Sequence, residues 1–394
     1  MVTEFDAVVV GCGPVGGFCA DLIARSGYKV AVLEENEKIG LPKHCSGLIH
    51  QRIEDILEMN LDDATENEIY GAHIHSKNSE IFLHAETCKS LVLDRSRVDA
   101  AIAERAEANG AEIFRKFRAE KFELKEDGIE INSEIKCKLL IGADGARSRV
   151  ARTFGLPDPS EMIRGYQVDA EVNEKVTDSV EVFVGREVAP GFFGWKIPTG
   201  KGKARIGLGV TEGSASAYLD PILKRLDAKP IEKFGGGIPL GLMEKSYCNR
   251  VMVAGDAAQQ VKPISGGGVN MGLQCAKHCA KIAIEALELS DFSDKELSKY
   301  QKLWQKDFKR ELKIGLIARK IFNNLNDNDL DTILGSLNND HLLKTVSTYG
   351  DIDHPSRIVE PVIADLLVEP EPYLKLKYLS LIGITPSVLH GLLG

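Results

Sequence analysis

The N-terminal part of the chain alternates between apolar runs and one amphipathic stretch. An apolar run at residues 5–10 is followed by a glycine-rich turn, a helix-like stretch at residues 16–27 and a second apolar run at residues 29–35. Short apolar runs bounded by turn residues are typical of strands that are buried on both faces. The order of strand, turn, helix and strand predicts a βαβ unit in a parallel sheet.

Two later apolar runs also end in aspartate. The run at residues 137–142 leads into Asp144, and the run at residues 250–254 leads into Asp256, three glycines at residues 266–268 and a long helical pattern. Ligands of open α/β sheets bind at the carboxyl ends of the parallel strands. We therefore expect both aspartates at a ligand-binding edge of the sheet.

The middle and the end of the chain have different patterns. Residues 160–215 alternate between apolar and polar positions, which predicts an antiparallel sheet. Amphipathic helical spacing follows residue 290, and an apolar, lightly basic tail occupies residues 372–394. We expect that tail to pack on the rest of the protein or to contact lipid.

The spacing of the first turn indicates which ligand it holds. Gly11, Gly13 and Gly16 fit the pattern G-x-G-x-x-G, in which the first glycine makes the turn, the second admits a pyrophosphate and the third allows close helix packing. Glu34 ends the next strand, where an acid binds the ribose hydroxyls of a dinucleotide. The acid disfavours a 2′-phosphate and so NADP, but it does not separate NAD from FAD.

Composition and charge narrow the class of protein. The 394 residues carry a net charge of −9, which argues against a nucleic-acid-binding protein. No apolar stretch approaches the roughly 18 residues that a membrane-spanning helix needs, and the N-terminal run lacks the basic flank of a signal peptide. The eight cysteines are scattered without C-x-x-C pairs, so the sequence predicts no metal site and a cytoplasmic protein with reduced thiols.

Three nucleotide-contacting segments far apart in the chain favour FAD, which lies extended across one domain, over a nicotinamide cofactor. Together with Glu34, the segments at residues 11–16, 144–145 and 254–256 resemble those of the FAD-dependent oxidoreductases related to p-hydroxybenzoate hydroxylase. The resemblance implies that Asp256 contacts the ribitol and pyrophosphate region. It also implies that Gly267, Gly268 and Val269 pass beside the flavin ring.

The same resemblance implies a domain organisation for the whole chain. It implies an α/β fold with a Rossmann-like FAD-binding domain, an inserted antiparallel-sheet substrate layer and a helical C-terminal region. The predicted boundaries are 1–155 and 245–290 for the FAD-binding domain, 156–244 for the substrate layer and 291–394 for the helical region.

A loop after the ribose-binding acid resembles the P-x-x-C-x-G loop of geranylgeranyl reductases. In that family the cysteine lies near the flavin, which implies that Cys45, Ser46 and Gly47 contact the cofactor and that Cys45 is a catalytic residue. This chain lacks the acidic residue that often follows in archaeal members. The superfamily also places Arg95 on the flavin side and a backbone amide at Ala119 near the adenine.

A second motif concerns the substrate. The segment at residues 193–209 is close to the aromatic-x-Trp, Pro and G-x-G signature of the geranylgeranyl reductase family. It implies that Phe193, Trp195, Gly207 and Gly209 contact the substrate. Large aromatic side chains beside glycines are expected to form a wall with a slot for a long, thin, apolar ligand.

These observations predict an FAD-dependent reductase that saturates the double bonds of geranylgeranyl chains, such as those of archaeal phospholipids. The partners expected are an isoprenoid lipid, and NAD(P)H or a ferredoxin as transient electron donor, with peripheral contact to a membrane. No motif identifies a proton donor. Three alternatives stay open: a flavin monooxygenase, a non-catalytic isoprenoid-binding flavoprotein and an electron carrier to quinone. No cysteine follows Cys279 to ligate the iron–sulfur cluster usual in such carriers.

Overall fold

The structure is a computed structural model that describes residues 2–173 and 177–337 and the single residues 351, 353 and 354. The strands in chain order are β1 (Thr3–Val10), β2 (Val30–Glu34), β3 (Leu48–Ile49), β4 (Thr65–Ile69), β5 (Gly71–His75), β6 (Glu80–His84), β7 (Ser90–Leu93), β8 (Glu112–Arg115), β9 (Phe122–Leu124), β10 (Ile129–Ile131), β11 (Ile135–Gly142), β12 (Glu161–Glu171), β13 (Ser179–Val184), β14 (Phe193–Gly200), β15 (Lys203–Val210), β16 (Lys229–Leu240), β17 (Tyr247–Cys248) and β18 (Val251–Val253). The helices are α1 (Pro14–Arg25), α2 (Arg52–Leu57), α3 (Arg95–Ala108), α4 (Arg149–Thr153), α5 (Ala215–Arg225), α6 (Val269–Leu289), α7 (Asp294–Asn324) and α8 (Asp327–Leu337).

The first sheet carries the nucleotide-binding segments. Its strand order is β17-β18-β11-β1-β2-β8, and β1 pairs in parallel with both β11 and β2. Ala7 and Val9 of β1 face the core shared with α1, α3 and α6, whereas Val8 and Val10 face a second core on the opposite side. Both faces of the strand are buried, which explains its uninterrupted apolar run.

The second sheet lies beside the first and has the order β16-β12-β15-β14-β13-β5-β6. One face packs against α5 through a core that includes Val168, Ile206 and Leu208. The sheet is not wholly antiparallel, because β13 pairs in parallel with β5. Its last two strands, β5 and β6, come from the segment 1–155 that the sequence assigned to the FAD-binding domain.

The sequence analysis did not place β5 and β6 in the second sheet, and the reason is physical. Strand β5 pairs with β13, which follows it by about a hundred residues, as the register Gly71 to Ser179 shows. A local apolar pattern predicts a strand but does not reveal a partner at that distance. The division into domains remains a prediction, since the two layers are interleaved along the chain.

Helix α7 packs on the first sheet, whereas α8 contacts β6 of the second sheet. Helix α7 buries Tyr300 and Trp304 completely, and Tyr300 Oη donates a hydrogen bond of 3.0 Å to Val253 O of β18. The predicted helical character holds from residue 294 to residue 337, and the apolar tail at residues 372–394 lies outside the described residues. Within the described part of the chain, no helix combines the length and the apolar character that crossing a bilayer requires.

Candidate functional site

A single cavity of about 1580 Å³ joins the glycine turn after β1 to one face of the second sheet. It brings together most of the residues singled out in the sequence. Those that line it are Gly11, Gly13, Glu34, Cys45, Ser46, Arg95, Ala119, Asp144, Phe193, Trp195, Asp256, Gly267, Gly268 and Val269. Gly16, Gly47, Gly207 and Gly209 do not line it.

The glycine turn places backbone amides and one carboxylate at the cavity. Gly11 has a φ of +96°, and an added Cβ would lie 2.5 Å from Ala143 O. Glu34 is held by the amides of Cys12 and Asn36, each of which donates a hydrogen bond of 2.9 Å to its carboxylate. An added Cβ on Gly16 would overlap Gly11 O, so this glycine serves the close packing expected of it.

Asp144 caps the short helix that follows it. Its carboxylate accepts hydrogen bonds from Ser148 Oγ and from the amide of Arg149, both at 2.6 Å. Gly145 has a φ of +77°, and no atom lies within 4 Å of the position where its Cβ would stand. The side chain of Asp144 is therefore occupied by local structure, while its neighbour leaves bare backbone along the cavity.

Asp256 is different, because its carboxylate is exposed to the cavity and accepts no hydrogen bond from any described residue. The surrounding protein raises the pKa of Asp256 to about 6, although the positive charge of Arg95 opposes this shift. A carboxylate that faces the cavity with no donor from the protein is free to accept hydrogen bonds from the hydroxyl groups of a ligand. The ribitol and ribose hydroxyls of FAD supply such donors, so the residues present fit this cofactor.

The glycine loop before α6 lines the cavity and packs closely against its neighbours, so a side chain at either of two glycines would be crowded. An added Cβ on Gly268 would lie 3.2 Å from Asp256 Oδ1, and one on Gly267 would lie 3.1 Å from Lys262 Cε. Helix α6 then starts at Val269, runs for 21 residues and presents its amide end to the cavity. Such an end favours negative charge, as on the pyrimidine edge of a reduced flavin.

The loop at residues 42–47, which we call the Cys45 loop, is held by the second sheet. Arg205 Nη1 donates a hydrogen bond of 2.9 Å to Ser46 O, and Lys43 Nζ lies 3.4 Å from the carboxylate of Asp169. An added Cβ on Gly47 would overlap Arg205 Nη1 and Leu93 O. Gly47 does not line the cavity and makes room for Arg205 behind the loop, and its contact with the cofactor stays a prediction.

Arg95 starts α3 and reaches the cavity beside the Cys45 loop. Its guanidinium lies 2.9 Å from the Asp99 carboxylate. Burial works against the charged guanidinium, but Asp99 and Cys45 outweigh it and raise the pKa of Arg95. Ala119 also lines the cavity, but it lies in the loop between β8 and β9 and not in a strand.

The far side of the cavity is an apolar face of the second sheet. Alternate residues of three neighbouring strands point to it, and we call them the apolar wall: Ala72, Ile74, Val180, Val182, Val184, Phe193, Trp195 and Ile197. The sequence analysis identified only the two aromatic members. The alternation at residues 180–184 was visible in the sequence, but it is equally typical of a strand that faces a closed core.

Gly207 and Gly209 lie beneath aromatic rings of the second sheet. An added Cβ on Gly207 would lie 2.7 Å from the indole of Trp195, and one on Gly209 would lie 2.6 Å from the ring of Phe192. Neither glycine lines the cavity, because the rings fill the space above them, and their contact with the substrate stays a prediction. Their role is to let the rings lie flat on the sheet.

The C-terminal region also reaches the cavity, which nothing in the sequence indicated. Asp353 Oδ1 lies 2.6 Å from Lys262 Nζ, and Asn270 Nδ2 donates a hydrogen bond of 2.9 Å to the same carboxylate. Burial favours the protonated acid, but Lys262 outweighs it and lowers the pKa of Asp353. Arg52 pairs with both Asp353 and Asp351, so a charged cluster closes this end of the cavity.

Comparison with known protein families supports the cofactor assignment. Residues 4–214, just over half of the chain, match a family described as the FAD binding domain. The match confirms FAD as the cofactor of this fold.

Comparison with individual proteins shows extensive similarity. The chain is 33% identical over 375 residues to digeranylgeranylglycerophospholipid reductase 2 of Methanopyrus kandleri, which covers 87% of this chain and 93% of that protein. A geranylgeranyl bacteriochlorophyll reductase-like protein from Thermoplasma acidophilum has a TM-score of 0.81 at 24% identity, covering 92% and 100% of the two chains. A probable FAD-dependent monooxygenase from Pseudomonas aeruginosa has a TM-score of 0.64 at 16% identity, covering 85% and 100%. These two structures establish the fold and confirm its predicted α/β, FAD-binding class.

Proposed function

This chain belongs to the digeranylgeranylglycerophospholipid reductase family, and from that premise we propose that it saturates the carbon–carbon double bonds of geranylgeranyl chains. The proposed substrates are di-O-geranylgeranylglycerol phospholipids, and the proposed reductant at the double bond is enzyme-bound reduced FAD.

The observation that carries this proposal is the continuity of the cavity. One end is lined by the glycines, Glu34 and Asp256, and the other end is the apolar wall. A flat, extended apolar surface suits a hydrocarbon chain, which gains free energy from burial and needs no polar partner. The two ends share one space, so a chain on the apolar wall is in reach of a cofactor held at the glycines.

The residues that would hold FAD follow from their placement. Glu34 would bind the adenosine ribose, Gly13 and the amide end of α1 the pyrophosphate, and Asp256 the ribitol. The amide end of α6 would lie at the flavin, where it favours the negative charge of the reduced ring. When bound, reduced FAD supplies the hydride for the reaction.

The chain itself contributes orientation and exclusion of water. An isolated double bond has no carbonyl for the protein to polarise, so placing it correctly is the main task of the site. The apolar wall performs that task and keeps water away from the hydrocarbon. We propose Cys45 as a catalytic residue, because the cavity-lining loop that carries it lies beside Arg95.

An anaerobic single-turnover experiment tests the proposal. The protein is loaded with FAD, reduced with dithionite and mixed with digeranylgeranylglycerol phospholipid, and flavin absorbance and lipid mass are followed. We expect the flavin to reoxidise while the lipid gains two hydrogens for each double bond. Unchanged lipid, with flavin that reoxidises only when air is admitted, would point to a monooxygenase.

Substitution of Cys45 tests its assignment in the same assay. As a test of a proton-transfer role for Cys45, we expect Cys45→Ala to slow flavin reoxidation by lipid by about 10²- to 10⁴-fold, the range that a general acid or base contributes. FAD titration serves as the control and should give an unchanged affinity. An unchanged reoxidation rate would remove Cys45 from the mechanism.

The electron donor is proposed to bind transiently, as NAD(P)H or a ferredoxin. Anaerobic mixing of the oxidised holoprotein with each donor distinguishes them, since only the true donor bleaches the flavin absorbance on the time scale of turnover.

Peripheral contact with a membrane is proposed at the cavity rim. Ile264 and Ile317 are 42% and 39% exposed, and Ile264 lines the cavity next to Ala318. Lys313 and Lys320 are exposed one helical turn on either side of Ile317. Apolar and basic side chains together favour an anionic bilayer surface. Sedimentation with anionic vesicles should be lost in Ile264→Asp/Ile317→Asp, and equal binding by the variant would locate the contact elsewhere.

A further inference from the structure

One buried side chain joins the apolar wall to the Cys45 loop. Gln167 of β12 is 5% exposed, and its amide is bonded at both ends. Trp195 Nε1 donates a hydrogen bond of 3.2 Å to Gln167 Oε1, and Gln167 Nε2 donates one of 3.0 Å to Cys45 O. The wall and the loop are thus linked through a single amide group.

The path of this link is set by Gly207. In the sheet register, Gly207 of β15 lies between Gln167 on one neighbouring strand and Trp195 on the other. With no side chain at Gly207, the indole crosses the strand and meets the amide. A methyl group there would overlap Gln167 Cβ. The geometry therefore depends on a glycine that does not itself line the cavity.

The other hydrogen-bonded supports of the Cys45 loop make no hydrogen bond to a side chain of the apolar wall, although Arg205 lies opposite Ile197 in the sheet. Arg205 bonds to Ser46 O, and His44 Nδ1 lies 3.1 Å from Gly235 O. Among the described residues that hold the loop, Gln167 alone also bonds to a wall side chain. A displacement of Trp195 therefore reaches the loop by this route.

The link can respond to a movement of Trp195, because the buried amide of Gln167 needs a hydrogen-bond partner at each end. If the indole turns away, Gln167 Oε1 loses its donor, and a buried polar atom without a partner is costly. Rotation of the amide toward a new partner then changes its bond to Cys45 O. We propose that Gln167 is a positioning residue that transmits the placement of Trp195 to the Cys45 loop, so that the chain occupying the apolar wall adjusts the loop. The occupant's identity rests on the proposed function, but the coupling does not.

The coupling can be tested without lipid, on the FAD-loaded protein. The alkylation rate of Cys45 by iodoacetamide is measured by peptide mass spectrometry in the wild type, Trp195→Phe, Gln167→Met and the double variant. We expect each single substitution to change the alkylation rate of Cys45 by about three- to tenfold, which corresponds to the net free energy of one ordinary hydrogen bond. The double variant should match Gln167→Met, because Gln167 provides the hydrogen-bonded route from Trp195 to the loop.

Two controls separate positioning from general loss of structure. Gln301→Met removes another buried glutamine, which accepts from the amide and the hydroxyl of Ser246 and donates to Met243 O. Half-buried Cys88, measured in the same samples, reports general loosening of the fold. Multiplicative effects in the double variant, or an equal change of the Cys45 rate in Gln301→Met, would overturn the proposal.

A second arm adds digeranylgeranylglycerol phospholipid in detergent. We expect lipid to change the Cys45 alkylation rate in the wild type but not in Trp195→Phe or Gln167→Met. Lipid that is reduced without any change at Cys45 would overturn the transmission from the wall. Lipid that is neither bound nor reduced would refute the proposed function, while the lipid-free comparison still decides the coupling.

Discussion

At the scale of single residues, the site combines side chains that act through charge with glycines that act through space. Asp256 faces the cavity with no donor among the described residues, whereas Gly207 lets Trp195 lie across a strand. Selection for stability alone would favour neither a carboxylate without a protein donor nor a glycine within a strand.

The raised pKa of Asp256 predicts a pH-dependent cost in the flavin-free protein. The pKa rises from 3.8 to about 6 on folding, so the folded state holds this proton more tightly and loses relative stability as the pH rises through that interval. We expect Asp256→Asn to raise the melting temperature of the flavin-free protein at pH 7.5 and to change it less at pH 4. The same variant should bind FAD more weakly. An equal change in melting temperature at both pH values would contradict the assignment.

Substitution of Gly207 should disturb the wall locally. The methyl group of Gly207→Ala would meet Gln167 and the indole of Trp195, and overpacking of this kind costs about 1–3 kcal/mol of unfolding free energy. Urea unfolding measures this loss. Gly165→Ala on the neighbouring strand is the matched control, because its Cβ would lie 3.4 Å from the nearest atom, Gly236 O. Equal losses of unfolding free energy in the two variants would show that Gly207 is not more closely packed than Gly165.

At the scale of elements, helix α7 supports the turn that carries Asp256. Tyr300 Oη accepts a hydrogen bond of 2.8 Å from Gln260 Nε2, and Gln260 Oε1 accepts one of 2.7 Å from the amide of Gly255. The helix is therefore bonded to the cofactor turn through two buried side chains. The position of α7 is therefore coupled to the turn that carries Asp256.

Removal of one hydroxyl should test this support. Tyr300→Phe removes the hydroxyl that pairs with buried Gln260 Nε2 and Val253 O, which costs about 1–3 kcal/mol. We expect that loss in urea unfolding, together with weaker FAD binding. Tyr70→Phe, whose hydroxyl meets Glu68 at the surface, should change stability by less than about 0.5 kcal/mol. A normal FAD affinity in Tyr300→Phe would disconnect the helix from the site.

Elements that a local pattern defines were predictable from the sequence. The turn at Gly11 and the acid at Glu34 follow from a short motif, and helix α1 lies between them as the pattern at residues 16–27 predicts. The partners of Gln167 and Arg205 were not predictable, because Gln167 bonds to a carbonyl 122 residues away in the chain. Long-range contacts of this kind leave no periodic signal. The apolar wall was only partly predicted, since the burial of a strand face does not reveal what covers it.

At the scale of the whole molecule, the two sheets are interleaved along the chain. The second sheet takes strands from residues 71–84 and 161–240, and the first takes strands from both sides of the latter segment. Neither layer is a continuous piece of sequence. We therefore expect that neither sheet folds independently of the other.

This interleaving predicts a single cooperative unfolding transition. The two tryptophans report on different layers, with Trp195 in the second sheet and Trp304 on the helix that packs against the first. In Trp304→Phe and Trp195→Phe, the remaining tryptophan should give a urea midpoint equal to that of circular dichroism in the same variant. Separate midpoints would show that the layers unfold independently.

The pairing of β5 with β13 also has a consequence for biosynthesis. A ribosome releases the hairpin of β5 and β6 about a hundred residues before its neighbour β13 emerges. During that interval one edge of the hairpin has backbone groups without partners, which makes it a template for erroneous association with other nascent chains. Holding by a chaperone during translation would protect the emerging polypeptide at this stage.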